Sequence, residues 1–353
     1  MKIKELKYPL EASARTALYF LPAASASVFL GRFKDPVFKK YKNLVPLTKH
    51  FKEIKKLYEK DSENIKNNYY LAPQHFLPNL KEYGLLNLKN ALDLFRVKDR
   101  MQKKDIQVFE TKISPEDFPA YFRQNFHYQS GGYLSSESAE LYDHQVELVF
   151  SGTAEAMRRH AIKAISLARG IKKYPSNEKL KILDIGCGTG HFTAELKRHF
   201  PMSEVVGLDL SPWYLKEAEK KFPDSGIEWK FCKAEKLDFE DNAFDVVTSI
   251  YLFHELPENI RKQAAKEMLR VLKPGGTLVQ MDSLQKGDTP ELDPSLEVFP
   301  HLYHEPYYEN YVSQKSEALF EKVGLKEIET EEAFYSKILR GTKEEAAKDE
   351  PRS

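Results

Sequence analysis

Between residues 180 and 340, short runs rich in β-branched and apolar residues alternate with longer segments in which apolar residues recur at helical spacing. That rhythm is the mark of βαβ units built around a parallel sheet. It predicts strands at 181–185, 204–208, 227–231, 244–250 and 277–281, with two more at 326–330 and 333–339. Helices are expected to begin near His191, Pro212 and Pro257, the two prolines falling where a first turn tolerates them. Upstream, Ser138 to Arg169 is rich in helix formers and breaks at Ser151-Gly152-Thr153, so Thr153 is expected to cap a helix that stops at Gly170. The first 120 residues read as mostly helical, interrupted by Pro73, Pro78 and Pro115. In 34–66, ten lysines accompany Phe51, Ile54, Leu57 and Tyr58 on a helical stripe, which reads as the wet side of an amphipathic helix.

The expected architecture is α/β: a Rossmann-like, seven-stranded, mostly parallel sheet with helices on both faces, plus a mainly helical N-terminal domain. The corresponding divisions are 1–120 as a substrate cover, 121–174 as a lid and helical approach, 175–340 as the ligand-binding domain, and 341–353 as a charged, disordered tail.

Composition narrows the partners. The 353 residues include 54 Lys and Arg against 53 Asp and Glu, so no global charge draws the chain to nucleic acid or an anionic membrane. The uncharged stretch Thr16 to Gly31 is too short to span a bilayer and contains Pro22, leaving interfacial membrane contact as a minor reading. Glu5 and Glu11 disfavour a signal peptide. Two cysteines, Cys187 and Cys232, supply no disulfide framework and no zinc cage, which favours a reducing, cytoplasmic setting. The sequence leaves the oligomeric state open.

The chemistry concentrates in Lys181 to Gly190, KILDIGCGTG, where a strand runs into Gly186, Gly188 and Gly190 before a helix. Glycines here let a ligand approach the backbone at the carboxyl end of the first strand, and Asp209 closes the second strand beside them. The spacing G-x-G-x-G differs from the G-x-G-x-x-G of dinucleotide sites. With Asp184 two residues ahead, it suits a cationic ligand better than a diphosphate.

This run resembles motif I of class I S-adenosylmethionine-dependent methyltransferases. VVGLDLS at 205–211, AEKL at 234–237 with DNAFD at 241–245, and VLKPGGTL at 271–278 resemble the family's later motifs in order and spacing. Within that family, residues 175–340 most resemble the group containing the ubiquinone and menaquinone biosynthesis C-methyltransferases, which have no counterpart of the first 120 residues. The resemblance implies S-adenosylmethionine as cofactor, held by Asp184, Gly186, Cys187, Gly188, Gly190, Asp209, Leu210, Ala234 and Glu235, with Asp209 on the ribose hydroxyls. Lys233 stands where many members carry an acidic residue.

A sulfonium methyl is already activated, so the protein must chiefly align the acceptor and exclude water. His254, at the end of the fourth strand, is the candidate base, with a purely structural histidine as the alternative. Asn125 to Ser135 pairs aromatics with the Gly131-Gly132 dipeptide and reads as a flexible lid; His127, Tyr128, Tyr133, Tyr142 and His144 are the candidate acceptor-facing residues. His301 and His304 have too few carboxylates nearby in sequence to predict a metal site, and none is expected.

Twenty of the 43 aromatic residues lie in the first 130 positions, enough apolar surface to wall a pocket. The expected function is methyl transfer to a small lipophilic or aromatic acceptor. Two alternatives stand beside it: a cofactor-binding regulatory or partner-binding module without turnover, and a protein or RNA methyltransferase that docks its substrate on the Lys-rich 34–66 segment.

Overall fold

The computed structural model describes residues 2–32, 46–109 and 117–345. Its centre is a seven-stranded sheet: β1 (Lys181–Ile185), β2 (Glu204–Asp209), β3 (Ile227–Phe231), β4 (Phe244–Ile250), β5 (Leu272–Ser283), β6 (Leu325–Ala333) and β7 (Ser336–Lys343). The order is β3-β2-β1-β4-β5-β7-β6, with only β7 running against the rest. The strand order reverses between β1 and β4, and the crevice beyond their carboxyl ends is where open α/β sheets take ligands.

Both faces of the sheet are buried, which is why the central strands read as nearly continuous apolar runs. Ile182, Val205, Val246 and Val279 face one core; Leu183, Val206, Val247 and Leu278 face the other. On the first face lie α5 (Ala154–Arg169) and α6 (His191–His199), and beyond them α1 (Lys2–Phe29) and α2 (Leu47–Lys66). The second face carries α8 (Glu258–Val271), α9 (Asp293–Leu302), α10 (Tyr308–Val312) and α11 (Ser316–Val323). The remaining helices are α3 (Leu80–Lys103), α4 (Ser136–Val149) and α7 (Pro212–Lys221).

Ala12 of α1 and Ile54, Leu57 and Tyr58 of α2 belong to the same buried cluster as Ile182 and Val279 of the sheet. The apolar stripe of α2 therefore points inward as its spacing predicts, and its exposed lysines pair locally, Lys56 with Glu53 and Lys55 with Glu59. The 34–45 part of the Lys-rich segment lies outside the described residues, as do 110–116, which include Pro115, and 346–353.

Three elements depart from the sequence reading. Strand β5 begins at Leu272, because Lys273 to Gly276 forms a bulge between the Phe244–Leu272 and Val246–Thr277 pairs rather than a loop before the strand. Strand β7 runs through Gly341, Thr342 and Lys343, assigned above to the tail, because the ladder to β5 continues to Thr342. Thr153 sits at the start of α5 but its hydroxyl donates to Phe150; the carboxylate of Glu147 instead accepts the first two free N–H groups, those of Ala154 and Glu155.

Candidate active site

The turn after β1 bends through three left-handed glycines, Gly186 (φ 71°), Gly188 (φ 55°) and Gly190 (φ 82°). A Cβ at Gly190 would stand 2.5 Å from the ring of Trp229, so that glycine serves the packing of helix against sheet. One at Gly188 would meet nothing nearer than Tyr142 at 3.7 Å, so the backbone there borders open space. The turn is pinned from below and above. Asp209 accepts from the Gly188 and Ser211 N–H groups at 2.9 and 2.7 Å. Asp143 of α4 accepts the Thr189 hydroxyl at 2.8 and 2.7 Å, and Lys221 reaches the same carboxylate.

Asp184 is fully buried beneath the turn, where the hydroxyls of Thr193 and Thr248 donate to it at 2.6 and 2.8 Å. Burial pushes its carboxyl up to about 6. It shapes the turn and does not border the cavity above it, contrary to the contact expected from sequence. Asp209 does border that cavity, and burial pushes its carboxyl up to about 6 as well.

The cavity over Gly186 and Gly188 is small, about 70 Å³, and its walls are Leu208, Asp209, Leu210, Cys232 and Ala234 on the sheet side. Tyr121, Phe122, Tyr133, Tyr142 and Tyr214 close it from the other side. Three of these rings form a triangle, with centroids of Tyr133, Tyr142 and Tyr214 between 5.2 and 6.1 Å apart. Gly132 is required by close approach rather than flexibility, since a Cβ would stand 2.1 Å from the Gln124 carbonyl oxygen. The lid is therefore packed down on the crevice.

Beside it opens a second cavity of about 620 Å³, walled by apolar groups including Phe20, Leu30, Val97, Phe150, Phe299 and Tyr335. That volume suits a small organic ligand. The two cavities share Tyr142, Tyr251 and Glu255. Tyr251 turns the chain after β4 through a left-handed conformation, φ 55°, its N–H donating to Met281 and its hydroxyl paired with Ser336. A larger cleft of about 1180 Å³, lined by charged groups such as Arg158, Lys197 and Lys220, shares no wall residue with the 70 Å³ cavity.

His254 lies on the single helical turn Phe253–Glu255 and borders the larger cavity. Its Nδ1 is 2.6 Å from Asp282, whose second oxygen accepts the His254 backbone N–H at 3.2 Å. Burial opposes a charge on the ring, but Asp282, with Glu255 and Glu305 beyond it, outweighs that and pushes the imidazole up to about 9. A ring held protonated donates hydrogen bonds and presents positive charge. Burial likewise raises the carboxyls of Glu255 and Glu305.

Among the lid candidates, Tyr133 and Tyr142 reach the smaller cavity, and the Tyr133 hydroxyl donates to Glu255. His127 reaches the larger one. Tyr128 points away, packing near His304 while its carbonyl accepts from Arg100. His144 is buried against Tyr19 and Tyr83, between α4 and the N-terminal helices, and burial lowers its imidazole to about 4. Of the other cofactor candidates, Cys187 is buried beside the turn and Glu235 holds the Tyr121 hydroxyl at 2.9 Å; neither borders the cavity. Asp282, Asp143, Glu305, Tyr121, Tyr214 and Tyr251 were not singled out from sequence. Asp282 was within reach: it directly follows a predicted strand, at the sheet edge that also carries Asp209.

Residues 182–276 match the family described as a methyltransferase domain. Over 103 residues the chain is 41% identical to the ubiquinone/menaquinone biosynthesis C-methyltransferase of Desulfotalea psychrophila, a match covering 29% of this chain and 41% of that protein. Over 151 residues it is 37% identical to the demethylmenaquinone methyltransferase of Thermus thermophilus, covering 42% and 64%. The chain thus spans less than two thirds of the length of these curated relatives. Human N-acetylserotonin methyltransferase in complex with S-adenosylmethionine aligns over 73% of this chain and 70% of its own, with 14% identity and a TM-score of 0.49. The matched segment is a methyltransferase domain, and its sheet order and glycine turn resemble those of class I S-adenosylmethionine-dependent methyltransferases. Over the matched segments it resembles the ubiquinone and menaquinone C-methyltransferases. Among the described residues, no helix is long and apolar enough to cross a membrane.

Proposed function

We propose that the protein transfers the S-methyl group of S-adenosylmethionine to a lipophilic, ring-containing acceptor. The observation that carries this reading is the 620 Å³ apolar cavity that meets the cofactor crevice at Tyr142, Tyr251 and Glu255. The adenosine end lies over Gly186 and Gly188, with its ribose hydroxyls on Asp209 and its base against Leu210 and Ala234. The sulfonium then faces the Tyr133, Tyr142 and Tyr214 rings, whose electron-rich faces favour a cation. At 70 Å³ the crevice must widen to admit the cofactor, so the aromatic lid moves on loading.

The acceptor's reacting atom sits at the shared wall, its ring or tail extending between α1, α3 and α4. Bond formation there returns the S–C electron pair to sulphur and leaves S-adenosylhomocysteine. The His254 imidazolium, fixed by Asp282, stabilises negative charge on the acceptor as it attacks. A quinol-type acceptor is supported by the relatives' names, but α1, α3 and α4, which wall the larger cavity, lie outside residues 182–276. The acceptor pocket is this chain's own.

Incubating the purified protein with S-adenosylmethionine and a panel of quinols, phenols, peptides and RNA, and measuring S-adenosylhomocysteine, tests the reading. Product is expected only with lipophilic ring acceptors. Product with peptide or RNA alone, or cofactor binding without turnover on any acceptor, would overturn it.

A further inference from the structure

Around Glu255, which borders both cavities, three side chains from distant parts of the chain converge: His127 of the lid, Glu255 after β4, and Glu305 after α9. One donor atom from each lies within 4.8 Å of the other two. His127 Nε2 is 3.2 Å from Glu305 Oε1 and 4.0 Å from Glu255 Oε1. The Glu305 side chain has no exposed surface, and beyond its 3.2 Å contact with His127 neither oxygen has a hydrogen-bond partner. A buried carboxyl with so few partners forfeits the interactions water would supply, an expense proteins seldom tolerate.

The charges around the cluster sharpen the point. The neighbouring Asp282 is already matched by His254 at 2.6 Å. His254 Nε2 stands 3.8 Å from Glu255. A neutral imidazole is the form of histidine that ligates metals. One buried carboxyl, one half-buried carboxyl and an imidazole, with donor atoms within 4.8 Å of one another, form a mixed nitrogen and oxygen donor set, suited to a first-row divalent cation such as Mn²⁺, Fe²⁺ or Zn²⁺. The Tyr133 hydroxyl orients Glu255 from behind, as outer partners of metal ligands do.

We propose that His127, Glu255 and Glu305 bind one divalent first-row cation, and that its open positions hold a hydroxyl or carbonyl oxygen of the methyl acceptor. Three protein donors leave coordination positions free, and both His127 and Glu255 border the 620 Å³ cavity. The cation site stands on its own geometry; its use toward the acceptor rests on the methyl-transfer reading. For a phenol, the proton passes to water at the cavity mouth as the oxyanion binds. The anion's electron pair then forms the new bond to the methyl carbon while the S–C pair returns to sulphur.

The test uses the full-length protein stripped of metal with a chelator and titrated with Mn²⁺, followed by electron paramagnetic resonance and by elemental analysis after desalting; Zn²⁺ is the second probe. One ion per chain is expected. Glu305→Gln, which keeps the shape, and His127→Ala are each expected to weaken Mn²⁺ binding at least tenfold, with Glu305→Gln leaving S-adenosylmethionine affinity by calorimetry unchanged. Failure of wild-type protein to bind either ion, or equal Mn²⁺ binding by wild type and Glu305→Gln, overturns the cation site. If the ion binds but chelation leaves turnover of an accepted substrate unchanged, its role toward the acceptor is overturned. Absence of turnover with every acceptor while Mn²⁺ binds as described sinks the methyl-transfer reading and leaves the cation site standing.

Discussion

At the scale of single residues, Asp209 shows how one carboxylate can serve two ends. Its oxygens already accept backbone N–H groups from Gly188 and Ser211, which fix the glycine turn, and a carboxylate has acceptor capacity beyond these two bonds. Replacing it with alanine removes the acceptor for the ribose hydroxyls and is expected to weaken S-adenosylmethionine binding by about 1.5–3 kcal/mol, ~10- to 150-fold in Kd. Burial sets the free carboxyl near pH 6, and hydroxyls donating to it favour the ionised form, so ligand and proton compete. The sign follows: affinity is full well above pH 6 and falls as pH drops through it, by ~tenfold at one unit below if Asp209 alone governs. Calorimetry from pH 5 to 8 checks this, and Asp209→Asn should flatten the profile; a flat wild-type profile would remove Asp209 from the cofactor's contacts. The sequence singles out Asp209 as a strand-end acid beside a glycine turn, and the structure places it at the cavity wall. For Asp184 the sequence could not show that the hydroxyls of threonines nine and 64 positions away donate to it beneath the turn, because those pairings exist only after folding.

At the scale of elements, the glycine turn separates fold from binding more cleanly than its sequence suggests. Gly188 and Gly190 look equivalent in KILDIGCGTG, yet one borders the cavity and the other the Trp229 ring. Gly190→Ala adds a methyl at 2.5 Å from that ring in a left-handed backbone, and should destabilise the protein by about 2–5 kcal/mol. Gly188→Ala carries only the backbone strain, about 1–2 kcal/mol, but places its methyl toward Tyr142 and Tyr214 and should weaken cofactor binding more than it lowers stability. Urea unfolding and S-adenosylmethionine calorimetry on both variants give the comparison; unchanged affinity in Gly188→Ala would mean the cofactor lies elsewhere. The strands were legible because both faces of the sheet are buried and β-branched runs have no competing use. The lid was only half legible. Its aromatics mark an apolar enclosure, but whether a ring meets the crevice, as Tyr133 does, or turns to a neighbouring loop, as Tyr128 does, depends on two consecutive left-handed residues, His127 and Tyr128, that no spacing rule anticipates.

For the whole molecule, the question is whether the N-terminal helices are a cover or part of the fold. Asp61 of α2 is fully buried and receives Arg159 of α5 at 2.9 Å through Nε, with Tyr70 at 2.7 Å and Tyr8 of α1 as further donors. Burial opposes the charge on Asp61, but Arg159 and these donors hold its carboxyl below the usual range. A depressed carboxylate contributes stability that is present above about pH 4 and is lost only as pH falls through the lowered value. Removing it leaves the Arg159 guanidinium buried without a counter-charge. Asp61→Ala is therefore expected to cost about 3–5 kcal/mol, read as a lower urea midpoint at neutral pH, with the difference from wild type shrinking on acidification. Because Ala12, Ile54 and Leu57 share a core with Ile182 and Val279, the loss should fall on the entire chain. Unfolding followed by near-ultraviolet circular dichroism and by cofactor release should give one coincident transition, shifted as a unit in the variant. Two transitions, with only the first shifted by Asp61→Ala, would mean that the helices fold separately and that the acceptor cavity is closed by a detachable domain instead of by the core itself.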